Sequence, residues 1–158
     1  MSVDDGMEES ALERGERLEQ EAIEQFEKAT GKLVDRVGFA ESDENEFMGF
    51  SPDGLIANDG VYTEAVEAKC LSSAKYVKAW IENSIPEEHD AQVIQAFIVN
   101  EQLQTLYFVL YDPRITVHPL HIIPVTRKEI KSHIEDYKKQ ETEFIDQINT
   151  KIEEIIKV

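Results

Sequence analysis

The sequence predicts an α/β (α+β) sandwich: a mixed β-sheet flanked by helices and closed by a long C-terminal helix. Three observations carry this. Apolar residues recur at helical spacing near both ends of the chain, while residues 61–70 and 104–111 form β-prone runs. Asn58-Asp59-Gly60 is a hairpin signal between two such runs. Thr126 and Glu129 stand at capping-box spacing ahead of the last periodic segment.

Taken in order, residues 10–30 read as a helix stopped by Gly31, with Leu12, Gly15, Leu18, Ala22, Ile23, Phe26 and Ala29 on one face. Residues 33–40 and 46–57 read as strands, the second broken by a Pro-Asp-Gly turn. Residues 61–70 pair back across the hairpin. Residues 74–83 read as a helix, and Pro86 opens another with Ala91, Ile94, Phe97 and Ile98 inward. Residues 104–111 and 115–123 give two more strands, the latter interrupted at Pro119. The final helix carries Ile130, Ile134, Tyr137, Phe144, Ile148, Ile152 and Ile155 on one stripe.

A chain of 158 residues suits one domain, here residues 1–158 with a flexible acidic stretch over 1–9. Hydrophobic residues make up 41%, too many for a disordered chain. No run approaches the ~20 apolar residues that span a bilayer. The opening MSVDDGMEES is acidic and polar, unlike a secretory signal. The single cysteine, Cys70, excludes an internal disulfide and four-cysteine metal sites, and it reads as core. A cytoplasmic protein is expected. The histidines, His89, His118, His121 and His133, lack zinc-type spacing.

The net charge of −17 argues against a simple nucleic-acid-binding module. It is compatible with an enzyme that grips phosphates at a few points through metal ions, and with an acidic protein that never meets DNA. Residues 1–30 alone hold ten Asp/Glu against three Lys/Arg. Most of this acid reads as solubilising surface.

Within that background, Glu67-Ala68-Lys69 places a carboxylate and an ammonium on one face of a strand, because side chains alternate. Hairpin pairing brings Asp53 toward Glu67. Two carboxylates and a backbone carbonyl, that of Ala68, form a hard oxygen site suited to Mg²⁺, with Mn²⁺ as substitute. Lys69 is placed to orient a water and offset charge. The bland reading of the same residues is an ordinary charge pair on a solvated strand. Glu19 falls in the middle of the first helix's apolar stripe, where an ionised group needs a partner. That partner is either a salt bridge or the same metal centre, and the second is preferred.

These residues match a known pattern. Ala11-Leu12-x-x-Gly15-x-x-x-Glu19-x-x-Ala22 with Thr30-Gly31 resembles the opening helix of the lambda-exonuclease/YqaJ family. Ser51-Pro52-Asp53-Gly54-Leu55 is similar to its metal-aspartate turn, and Glu67-x-Lys69-Cys70 to its Glu-x-Lys strand. Ala91-Gln92-Val93 and Tyr111-Asp112-Pro113-Arg114 resemble two further family motifs.

The resemblance implies a restriction-endonuclease-like, PD-(D/E)XK fold and a two-metal exonuclease digesting linear duplex DNA from the 5′ end. It implies metal binding by Asp53 and Glu67, water activation by Lys69, a contribution from Glu19, and Gln92 near the scissile bond. It also implies a phage or prophage origin, a single-strand annealing protein as partner, and a trimeric ring. Expected DNA contacts are Arg14, Arg17, Ser51, Ser72, Ser73, Lys75 and Gln95.

The sequence departs from the family pattern in two places. The family's N-terminal arginine segment has no counterpart among the acidic residues Asp4, Asp5, Glu8 and Glu9, so little dependence on a 5′-phosphate is expected. His89 and Ile94 replace a Tyr and a second Gln of the Gln helix, with Gln95 available at i+3 from Gln92. The competing expectation is a non-catalytic acidic interaction protein that mimics DNA or binds a recombination partner.

Overall fold

The computed structural model describes residues 9–36 and 52–157. Helix α1 (Ala11–Thr30) begins where Ser10 accepts the Glu13 N–H and Glu13 reaches back to the Ser10 N–H. It ends at Gly31, whose φ of 72° is left-handed backbone that favours glycine. Strands β1 (Gly54–Asn58) and β2 (Val61–Lys69) form an antiparallel hairpin. Asp59 and Gly60 both take positive φ, as a tight Asn-Asp-Gly hairpin demands. Helix α2 (Ser73–Glu82), a 3₁₀ turn (Glu87–His89) and helix α3 (Asp90–Val99) then cross over to β3 (Thr105–Tyr111), which runs parallel to β2. β4 (Leu120–Thr126) pairs antiparallel with β3, and α4 (Lys131–Ile156) follows.

The sheet order is β1-β2-β3-β4. β2 and β3 are central; β3 reads as a near-continuous apolar run because both of its faces are covered, and β2 is buried from Glu64 to Ala68. On one face, Leu18, Ala22, Ile23 and Phe26 of α1 pack on Ile56, Val66, Ala68 and Val109. On the other, Tyr76 and Ala79 of α2, Val93, Ala96 and Phe97 of α3 and Ile134 of α4 pack on Ala65, Phe108 and Leu110. The α/β sandwich with a mixed sheet and a long last helix is therefore as the sequence predicts.

Several local expectations are corrected. Of residues 33–40, the described part forms only an isolated bridge between Asp35 and Leu55, and residues 37–40 lie outside the described residues. The expected strand 46–57 is β1 from Gly54 onward, with residues 46–51 also outside. Leu12 and Ala29 are exposed, so α1 buries only the middle of its stripe. In α3 the fully buried positions are Val93, Ala96 and Phe97. Ala91 is exposed and Ile94 and Ile98 are half-buried, so the inward face is rotated from the expected one.

The strand expected at 115–123 starts instead at Leu120. Residues 112–118 turn on Ile115 N–H to Asp112 O and His118 N–H to Ile115 O bonds, which alternating Ile115 and Val117 do not reveal. The Thr126–Glu129 reciprocal bonds form at 3.2 and 3.3 Å, but they close a turn over 127–130, and α4 starts at Lys131.

Arg127 carries a role that no sequence pattern announced. Its guanidinium donates to the carbonyls of Leu103, Phe97 and Asn100 at 2.7, 2.8 and 2.8 Å, tying the C-terminal end of α3 and its exit loop to β4. Arg127→Ala leaves these carbonyls to water or to nothing, at a cost of roughly 2 kcal/mol. A thermal melt should show a drop of about 5 °C, and Lys at the same position should not restore it, because an ammonium lacks the planar fork.

Candidate active site

The chain positions its chemistry at the C-terminal end of β2. The β1–β2 register shifts between Ile56 and Ala57: Ala57 pairs with Tyr62, but Ile56 pairs with Glu64, leaving Thr63 as an extra residue on β2. Beyond this bulge the pairing runs Ile56–Glu64, Leu55–Ala65, Gly54–Val66. One further step sets Asp53 across from Glu67. Without the extra residue Asp53 would stand across from Val66, and the two carboxylates would belong to opposite faces. Asp53 is fixed by the Ala68 N–H, which donates to Oδ2 at 2.7 Å. Ala68 thus contributes its amide to the site; its expected carbonyl role concerns a metal and is taken up below.

Gly54, read from the sequence as part of a Pro-Asp-Gly turn, has ordinary backbone and begins β1. It is needed for close approach: a Cβ there would run into Cγ1 of Val34, on the segment that bridges to β1 through Asp35.

Glu67 is 2% exposed. Its Oε1 accepts from Gln92 Nε2 of α3 at 2.9 Å and lies 3.2 Å from Lys69 Nζ. Its Oε2 is buried with no hydrogen-bond partner among the described residues. Burial, reinforced by the negative charges of Asp53 and Glu19 and opposed by Lys69, pushes the Glu67 carboxyl up to about 7. Burial likewise raises Asp53, against the Ala68 N–H and Lys69. Glu19, half-buried on α1, is raised by burial and by Asp53, with Lys69 opposing. It has no hydrogen bond or ion pair among the described residues, so no salt bridge there accounts for its position.

Glu64 makes the contrast that decides how Glu67 should be read. It is also buried on β2, yet it accepts from Lys32 at 3.0 Å, Asn58 at 3.0 Å and Tyr107 at 2.6 Å. Burial raises its carboxyl, but these donors outweigh burial and hold it below the usual range. Glu64 is a satisfied structural acid on the α1 face. Glu67 is an unsatisfied one, with a cation on one side and further carboxylates nearby.

The expected DNA contacts are dispersed. Arg14 and Ser72 line a cleft of about 520 Å³ with Cys70 and Arg114. Ser72 also caps α2, accepting from the Lys75 N–H. Ser73 donates to buried Asp112 at 2.7 Å, and Asp112 holds Arg114 at 2.8 Å. Arg17 is tied to Glu9 and Glu21 at 2.7 and 2.9 Å, which offsets its charge. Lys75 is exposed and 3.6 Å from Glu88. Gln95 is half-buried on α3, apart from the Gln92–Glu67 contact. Ser51 lies outside the described residues. Cys70, expected in the core, is half-buried at its edge and lines the cleft; burial pushes its thiol up to about 11, which keeps it unreactive.

His89 is the neighbour that spacing missed. Half-buried, it tilts against Phe108 with ring centroids 5.4 Å apart, one turn before Gln92. Burial and Lys69 lower its pKa, so its 3.5 Å approach to Glu88 is not an ion pair at neutral pH.

Among the described residues, no group of three or more His, Cys, Asp or Glu side chains is gathered closely enough to hold a metal alone. Asp53 and Glu67 stand across from each other in the extended β1–β2 register, and Asp53 raises the Glu67 carboxyl through its charge. This fits Mg²⁺, which commonly takes one or two carboxylates and completes its shell with water and substrate phosphate. The orphaned Glu67 Oε2 and the mutual repulsion of the acids are what such a cation would relieve.

The shift of Glu67 has a measurable consequence. Its folded pKa of about 7 stands above the ordinary glutamate value of 4.5, so the folded state holds the proton more tightly. The stability this gives is present below the unfolded pKa and is lost as pH rises through the folded one. Without divalent cations, Glu67→Gln should therefore melt several degrees above wild type near pH 8, and within about 1–2 °C of it near pH 5. Thermal melts in EDTA at the two pH values measure this.

The fold is shared with solved structures. The crystal structure of an alkaline exonuclease (LHK-Exo) from Laribacter hongkongensis matches with a TM-score of 0.62 and 24% identity, over 90% of this chain and 76% of that one. The same protein, LHK-Exo, in complex with dAMP matches with a TM-score of 0.61 and 24% identity, over 90% and 75%. No curated protein matches the chain. The model of the YqaJ-like viral recombinase domain matches residues 1–102, and the chain belongs to that family.

Proposed function

We propose that this chain is a metal-dependent deoxyribonuclease of phage-type recombination, hydrolysing phosphodiester bonds of linear duplex DNA. The observation that carries the reading is Glu67: a buried carboxylate with an unpartnered oxygen, beside Lys69 and across from Asp53. Family membership and the shared fold with an alkaline exonuclease support it.

In this reading Asp53 and Glu67 would hold the cation, with the Ala68 carbonyl as a further oxygen donor and Glu19 as an additional acid from α1. The cation supplies charge neutralisation at the scissile phosphate and lowers the pKa of a water. Gln92 holds Glu67 Oε1, which leaves the unpartnered Oε2 as the oxygen that would ligate a cation. Lys69 Nζ orients the attacking water and offsets charge on the phosphate oxygens. Hydrolysis forms a bond from the water oxygen to phosphorus and breaks the bond to the leaving sugar oxygen, which takes up a proton. Duplex DNA with a free end is the substrate, digested 5′ to 3′, and a single-strand annealing protein takes the single strand that digestion exposes.

The −17 charge favours the alternative of a non-catalytic acidic binder. That alternative gives no account of an unsatisfied acid beside a lysine. The described helices contain none long and apolar enough to cross a membrane.

Incubation with linear duplex DNA, with and without a 5′-phosphate, tests the proposal. Degradation should appear in Mg²⁺ or Mn²⁺ and vanish in EDTA. Lys69→Ala should remain folded and lose at least ~100-fold in rate, because its ammonium acts in the transition state. Intact DNA under every condition, or undiminished cleavage by Lys69→Ala, contradicts the reading.

A further inference from the structure

Glu88 holds a position that its own bonding does not explain. It stands on the 3₁₀ turn between α2 and α3, on the wall of a cleft of about 690 Å³ that Lys75 also lines. A single carboxylate oxygen, Oε1, lies 3.5 Å from His89 Nε2 and 3.6 Å from Lys75 Nζ. It sits between two donors and bonds neither at full strength, since an N–H···O bond needs roughly 2.7–3.2 Å. The His89 Nε2 atom is buried and has no hydrogen-bond partner among the described residues, an unfavourable state for a ring nitrogen. The Glu88 side chain is 53% exposed, so its contact with Lys75 is a weak surface ion pair and is readily displaced.

The surroundings favour an anion at this point. The charges of Lys69 and Lys75 both act on the His89 ring. The ring rests on Phe108, which pairs with Glu67 in the sheet. It also lies one helical turn before Gln92, which bonds Glu67. We propose that Lys75 and His89 form a subsite for a phosphodiester of the bound DNA strand, close to the scissile one, and that the Glu88 carboxylate stands in for that phosphate in the free protein. The inference rests on the nuclease reading above. A phosphodiester presents two non-bridging oxygens, so it accepts from Lys75 and from His89 Nε2–H at once, where one shared carboxylate oxygen serves neither well. A neutral imidazole donates through one ring nitrogen, so His89 need not be charged. An entering strand then turns Glu88 out to solvent, and Glu88 competes with every strand that enters.

Fluorescence anisotropy of a labelled linear duplex on the full chain, with Ca²⁺ in place of Mg²⁺, measures affinity apart from turnover. Lys75→Ala and His89→Phe should each weaken binding roughly fivefold, and Lys75→Ala should lower the slope of log affinity against log salt by about one. Phenylalanine keeps a ring on Phe108, and circular dichroism checks that each variant is folded. Glu88→Gln should tighten binding about threefold, because it frees the two donors. That gain should be lost when Glu88→Gln is combined with Lys75→Ala and His89→Phe, since no subsite remains to be freed. A gain undiminished in the triple variant reports general charge repulsion and overturns the proposal. Wild-type affinity in Lys75→Ala or in His89→Phe overturns it as well. The two readings fail separately: a chain that cleaves DNA yet is indifferent to these substitutions removes the subsite alone, and one that neither binds nor cleaves duplex DNA removes both.

Discussion

The buried carboxylate of Glu67 is the constraint on which the site depends. β2 is covered on both faces, and every other buried side chain from Ala65 to Ala68 is apolar. Placing an ionised group there costs several kcal/mol unless it is neutralised or paired. Gln92 and Lys69 together satisfy one oxygen and leave the other. Asp53 and Glu19 raise the cost, since each added negative charge favours protonation of Glu67. A domain selected for stability alone would have no use for this grouping. Glu64, three residues earlier, displays how the same strand buries an acid when only structure is at stake.

The topology supplies the rest. The bulge at Thr63 adjusts the register so that Asp53 meets Glu67. The close approach of Val34 to Gly54 fixes the start of β1 directly after Asp53. The parallel β2–β3 crossover carries α2 and α3 over one face, bringing Gln92 onto Glu67, while α1 covers the other and brings Glu19 to its edge. Both helices bury apolar faces on the sheet, so the polar contacts of the site are aligned by packing that is itself stable. Arg127, directly after β4, bonds the Phe97 and Asn100 carbonyls and ties the end of α3 to the sheet.

How much of this was legible in the sequence follows from the range of each interaction. The Gly31 stop of α1, the Asn-Asp-Gly hairpin and the alternation that puts Glu67 and Lys69 on one face depend on neighbours within a few residues, and they read directly. The bulge did not, because Thr63 is an ordinary strand residue and its displacement depends on what pairs with it. Gly54 was read as a turn glycine, whereas its role is set by Val34, twenty positions away. The start of β4 was misplaced because Ile115 and Val117 alternate like a strand, while Asp112 organises a turn through its carbonyl and through Arg114. Arg127 bonds three carbonyls, acceptors that every residue carries and that leave no trace in composition. The last helix's stripe was visible, but its exposure depends on how far the body of the protein extends beneath it.

The most direct test of the account is the titration of Glu67 itself, followed by carboxyl ¹³C resonance with and without Mg²⁺. The account predicts an apparent pKa of about 7 in EDTA, falling below the ordinary glutamate value of 4.5 when the cation binds and favours the ionised form. A Glu67 that titrates near 4.5 in EDTA, or a raised value that Mg²⁺ leaves unmoved, would contradict it.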